Sequence, residues 1–206
     1  MGGRGSWSSS GGTFVPTVGG MSNGGGDENV LGPQIPDTLQ EALGQKGRPM
    51  SMAAASAGTN PHYNRDYAAY SSNCQRCVLT YEARRRGYDV TALPTYKGDL
   101  LPYGRDYFKA LSNPKTVDVG KSKIKLESQM RGYGNGARAI VHVSAGGKGH
   151  VFIAENVRGR ISYVDPQTNK RYSNINLSHV SRAQLTRIDN QDFTEYARNA
   201  FTRKRV

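Results

Sequence analysis

One strong helical signal stands ahead of four short runs of alternating polarity, and that order points to an α+β fold with an antiparallel sheet. The helix is expected from Cys74 to Arg86. Asn73 is a candidate N-cap, Val78 and Tyr81 continue the stripe that starts at Cys74, and Gly87 is the expected left-handed stop. Arg84, Arg85 and Arg86 read as a solvated end facing the negative pole of the helix dipole. The period changes to two at residues 139–144, 150–154, 160–165 and 183–188, with turns at Gly146-Gly147-Lys148-Gly149 and Arg158-Gly159. Residues 94–136 hold Pro94, Pro102 and Pro114 among many glycines and tyrosines, so loops are expected there, apart from a short helix near 107–111. A final helix is expected at about 191–202.

With 206 residues the chain has room for one ordinary domain and a tail. Fourteen of its 25 glycines fall within residues 1–60, which divides the sequence into unequal parts. Residues 1–35 are read as a disordered Gly/Ser-rich arm, 36–190 as the globular domain, and 191–206 as a C-terminal helix with a basic tail. Within the domain, Asp37 is a candidate cap for a short helix that Gly44 is expected to stop, and residues 45–60 look irregular up to a turn at Asn60-Pro61.

The net charge of +12 draws nucleic acid or any acidic surface non-specifically, but the basic residues are scattered without an aromatic binding signature. No apolar run approaches the roughly 18 residues of a membrane span, so no membrane partner is expected. The N-terminus lacks the apolar core of a signal peptide, and location is left open. Two cysteines are too few for a disulfide scaffold, which leaves both for chemistry.

Cysteine chemistry needs a thiolate, and a helix N-terminus favours one through its free N–H groups. Cys74 is at such a place. A nucleophile also needs a base held by a third polar group. Of His62, His142, His150 and His179, His150 opens an apolar strand directly after a glycine-rich turn, whereas His142 alternates with valines and reads as structural. Asp165 ends the next strand. If Arg158-Gly159 is a two-residue turn, His150 lies opposite Gln167 and diagonal to Asp165; a four-residue turn makes His150 face Asp165; a three-residue turn puts Asp165 on the other face. The Cys-x-x-Cys pair Cys74/Cys77 also admits a redox pair or half a zinc site, but no second ligand pair follows at short spacing. Neither a cofactor nor a metal is expected.

These segments resemble the papain-fold toxin domains of bacterial polymorphic toxins and phage head-associated proteins. The resemblance is carried by Asn73-Cys74-Gln75-Arg76-Cys77-Val78 with Tyr81-Glu82-Ala83-Arg84-Arg85-Arg86-Gly87-Tyr88-Asp89-Val90, by Gly149-His150-Val151-Phe152 with Glu155, and by Tyr163-Val164-Asp165-Pro166-Gln167-Thr168, and it covers about residues 58–190. It implies a papain-like α+β fold and a cysteine hydrolase acting on protein carboxamides as a glutamine deamidase, or within the same class a cysteine peptidase. Cys74 would be the nucleophile, His150 the base and acid, Asp165 the group that orients it, and Gln167 an accessory polar residue. Papain places its nucleophile second in a similar pair, so Cys77 stands as the alternative. The implied partners are a protein substrate presenting a glutamine side chain or a peptide bond, and a virion or cognate inhibitor protein. A different class of function remains open: a virion structural or nucleic-acid-associated protein using the fold without catalysis.

Overall fold

The structure, a computed structural model, describes residues 35–95 and 106–203 together with two short strands nearer the N-terminus. The arm expected over residues 1–35 falls almost wholly outside the described residues, as do part of the expected 94–136 loop region and the basic tail beyond Arg203. In chain order the elements are β1 (Ser9–Ser10), β2 (Thr13–Phe14), α1 (Leu39–Leu43), α2 (Met52–Thr59), α3 (Ala68–Ser71), α4 (Cys74–Arg86), β3 (Val90–Ala92), a 3₁₀ turn (Asp106–Ala110), β4 (Thr116–Gly120), α5 (Lys123–Gly132), β5 (Arg138–Ala145), β6 (Lys148–Val157), β7 (Arg160–Asp165), β8 (Lys170–Tyr172), β9 (Asn174–Ile175), β10 (Arg182–Arg187), a second 3₁₀ turn (Glu195–Asn199) and β11 (Phe201–Arg203). The described residues form two compact units: a sheet unit of the two N-terminal strands with residues 113–165 and 170–191, and a helical unit of residues 35–95, 106–112, 166–169 and 192–203.

The sheet unit is built on six antiparallel strands in the order β4-β10-β5-β6-β7-β8. Two-residue turns set its register. Gly146 and Gly147, both at positive φ, join Ala145 to Lys148. Arg158 and Gly159, at φ 54° and 84°, join Val157 to Arg160. Both residues of such a turn need positive φ, which matches the twist of the flanking strands. One face is closed by α5, whose Leu126 and Met130 join Val141, Val143, Phe152, Ala154, Tyr163 and Leu185 in a continuous core. The expected loop over residues 94–136 therefore needs correction: β4 and α5 lie within it. α5 offers only Leu126 and Met130, four residues apart, as its buried stripe, and the surrounding lysines and glycines hide that signal. Its N-cap is Ser122, whose hydroxyl accepts from the Lys125 N–H at 3.2 Å.

In the helical unit, α4 has the expected bounds and the expected left-handed Gly87 at φ 108°. Its surroundings differ from expectation. Residues 76 to 84 are all buried, so α4 is a central helix and not an amphipathic one. Arg84 is not a solvated end: its Nη1 donates to Asp89 Oδ1 at 2.6 Å and to the Val90 carbonyl at 2.8 Å. Arg86 donates to Glu82 Oε1 at 2.7 Å, and its guanidinium lies 4.5 Å from the centre of the Phe193 ring. Arg76, fully buried, donates to the Asn199 carbonyl.

The final helix expected at 191–202 is also corrected. Only a 3₁₀ turn forms, and Phe201–Arg203 pairs instead with β3 as an antiparallel ribbon. The buried Phe201 and the β-branched Thr202 favour that ribbon, whose pairing satisfies backbone groups that β3 would otherwise leave open.

Gly87 carries a sharp requirement beyond its backbone angle. A Cβ there would come within 2.4 Å of the Gly47 carbonyl oxygen, and the Gly87 carbonyl itself accepts from the Gly47 N–H at 2.9 Å. Gly87→Ala is expected to cost about 2 kcal/mol or more, read as a lower urea midpoint with an unchanged slope.

Candidate active site

Cys74 is the first residue of α4 and is partly exposed. The first-turn N–H groups of a helix have no partner within it, and they lie close to this position. Asn73 occupies the N-cap position, but the expected side-chain cap does not form. The Asn73 side chain turns instead into a buried polar network.

The other thiol behaves differently. Cys77 is fully buried one turn on, its backbone N–H donating to the Asn73 carbonyl at 3.0 Å and its Sγ–H to Asn73 Oδ1 at 3.3 Å. Asn73 Oδ1 also accepts from Gln167 Nε2 and from Asn60 Nδ2, each at 3.3 Å. The Asn73 Nδ2 donates to Asn60 Oδ1 and to the Leu93 carbonyl, each at 3.2 Å. Asn73 thus has partners on both ends of its amide, as a buried amide must.

In the sheet unit, His150 on β6 and Asp165 at the end of β7 come together. His150 Nε2 lies 3.5 Å from Asp165 Oδ2, with both side chains almost wholly buried. The two-residue turn at Arg158-Gly159 places them on one face. The last β6–β7 pair is Ile153 with Val164; one step further Asp165 comes level with Phe152, two residues from His150. This is the diagonal arrangement. The His150 ring stacks near Phe152 at 6.3 Å, and Phe152 meets Tyr163 edge-on.

The charge of Asp165 is felt by a neighbour: burial first, and then this carboxylate, push the Tyr172 hydroxyl up to about 12 from 10.0. The expectation that Gln167 sits opposite His150 on the ladder is corrected. β7 ends at Asp165, and Asp165 pairs with Lys170, so residues 166–169 form a four-residue turn with Asn169 at positive φ. Gln167 is buried in that turn.

His142 pairs with Val151 and Gln184 in mid-sheet, on the face opposite His150, while His62 and His179 are exposed. Among the described residues, no cluster of three or more His, Cys, Asp or Glu is placed to hold a metal ion, and no helix is long and apolar enough to cross a membrane. The residue that sequence reasoning missed is Asn60, legible only as part of an Asn-Pro turn and yet buried at the centre of the amide network.

A central helix opening with a partly exposed cysteine and an antiparallel sheet bearing a buried His–Asp pair are consistent with a papain-like α+β fold. Residues 72–170 match the family described as papain fold toxin 1, glutamine deamidase, and the match supports a papain-fold toxin domain over that segment. The family is one of hydrolases acting on carboxamides, and the match supports that class for residues 72–170. No curated protein and no solved structure gives a significant match.

Proposed function

We propose that this chain converts glutamine side chains of a target protein to glutamate, with Cys74 as nucleophile, His150 as base and acid, and Asp165 orienting His150. The observation that carries the reading is the buried His150–Asp165 pair inside a segment of glutamine-deamidase family. A histidine tied to a buried carboxylate is the base-and-orienter half of a nucleophilic site. Cys74 is chosen over Cys77 because it is the accessible thiol at the helix tip, whereas Cys77 is sealed in and bonded to Asn73.

The Cys74 sulfur attacks the side-chain carboxamide carbon, and the Cys74 N–H, with a neighbouring polar side chain, holds the oxyanion. With Nε2 turned to Asp165, His150 Nδ1 takes the thiol proton and passes it to the nitrogen as the C–N bond breaks and ammonia leaves. Water then attacks the thioester and gives its proton to His150, and C–S cleavage releases glutamate and restores the thiol. A peptide bond in place of the carboxamide would make the same residues a peptidase. Incubation of the purified chain with casein separates the outcomes: a gain of about one dalton per modified glutamine, with ammonia release, is expected. Fragments would show proteolysis. Intact, unmodified casein together with a Cys74 inert to iodoacetamide would sink the enzymatic reading and leave the basic, non-catalytic role.

A further inference from the structure

We propose that Asn60 is a positioning residue for the Cys74 thiol, acting through Asn73 and the 166–169 turn; the catalytic part of this inference rests on the function proposed above. Asn60 follows α2 as its C-terminal cap residue and is 7 % exposed. Its Nδ2 has two hydrogens, and two main-chain carbonyls lie close: Tyr70 O at 2.9 Å and Gln167 O at 3.0 Å. Both acceptors are carbonyl oxygens, so the orientation of the Asn60 amide is fixed. Asn60 Oδ1 is left to accept from Asn73 Nδ2 at 3.2 Å, and the third approach, to Asn73 Oδ1 at 3.3 Å, is a shared, weaker contact.

One side chain therefore ties three parts of the helical unit: the end of α3 at Tyr70, the entry of α4 at Asn73, and a turn 107 positions away in sequence. The peptide between Asn73 and Cys74 carries the N–H assigned to the oxyanion, and the direction of that N–H is set by how Asn73 is held. Asn73 cannot pivot while its Nδ2 is split between Asn60 and the Leu93 carbonyl and its Oδ1 accepts from Cys77 and Gln167. Apolar packing could stabilise this junction equally well, but it would not fix a direction, whereas a saturated amide pair does. Loss of Asn60 leaves the Tyr70 and Gln167 carbonyls and the Asn73 amide searching for partners, and the tip of α4 is where that slack appears.

The test uses the full chain with Asn60→Ser, which retains one hydroxyl donor, and Asn60→Asp, which sets acceptor oxygens against two carbonyls. Iodoacetamide alkylation of Cys74 is followed on the tryptic peptide ending at Arg76, so that Cys77 is read separately, at a temperature where circular dichroism shows each variant folded. Alkylation at pH 7 is expected to slow about fivefold in Asn60→Asp and less in Asn60→Ser. Ammonia release from casein is expected to fall about tenfold in kcat with KM held within about twofold. Leu126→Ala, in the core of the sheet unit, serves as a destabilised control and is expected to leave the Cys74 rate unchanged.

Wild-type alkylation rates in both folded Asn60 variants would overturn the inference and make Asn60 a brace for the fold only. Alkylation requires no substrate. A wild-type chain that releases no ammonia would count against the deamidase reading, while the alkylation rates would still decide the role of Asn60.

Discussion

Cys74→Ala is expected to lower deamidation at least about 10⁴-fold, because the covalent step is lost and only substrate binding and the oxyanion donor remain. The fold should be unaffected, since Cys74 is partly exposed and removal of its sulfur opens no large cavity. Cys77→Ala should behave in the opposite way. Its sulfur is fully buried and donates to Asn73 Oδ1, so truncation is expected to cost about 1–2 kcal/mol while activity in the folded protein stays within a few-fold of wild type. Ammonia release and urea denaturation, measured on both variants, read the two effects separately. If Cys77→Ala is dead and Cys74→Ala active, the assignment of the nucleophile is reversed.

Asp165→Asn is the second large effect. The amide preserves shape but takes away the charge beside His150, and kcat is expected to fall about 10²- to 10⁴-fold. A second readout in the same variant is independent of catalysis. Tyr172, at about 12, is raised by burial and by the Asp165 charge, so removal of that charge should bring its ultraviolet titration down toward the ordinary 10.0. The sign for stability follows. A tyrosine whose pKa is raised on folding holds its proton more tightly in the native state, so its contribution is intact below about 10 and is lost as pH rises through about 12. In Asp165→Asn that alkaline loss should be smaller. An unchanged Tyr172 titration would mean that Asp165 is not the anion acting there, and an unchanged kcat would remove it from the catalytic set.

Much of the sheet was legible because its turns announce themselves. Gly146-Gly147 and Arg158-Gly159 offer positive-φ residues between apolar runs, and the two-residue turn at Arg158-Gly159 fixes which face His150 and Asp165 share. α4 was legible at both ends, at Cys74 and at Gly87, but its environment was not. Burial of Arg76 and Arg84 depends on carbonyls of Asn199 and Val90, brought near only by folding, and no local pattern signals that an arginine will be so received. β4 and α5 are hidden by their surroundings, and at the end of the described chain the sequence suggests a helix where the pairing need of β3 draws a strand. Asn60 and Gln167 meet across 107 positions of sequence, a separation at which local reading has no purchase.

A helix enclosed along nine consecutive residues, with its guanidinium groups committed to carbonyls and carboxylates, is a rod clamped along its length. Its exposed tip inherits that stiffness. If Cys74 is the nucleophile as proposed, its sulfur is offered without having to be ordered first, and little entropy is lost on engagement. The same stiffness has a cost for adaptation: a change of size at residues 76 to 84 has to be absorbed by a fully packed neighbourhood. Under the proposed function, changes in target preference would be left to parts of the chain that α4 does not carry.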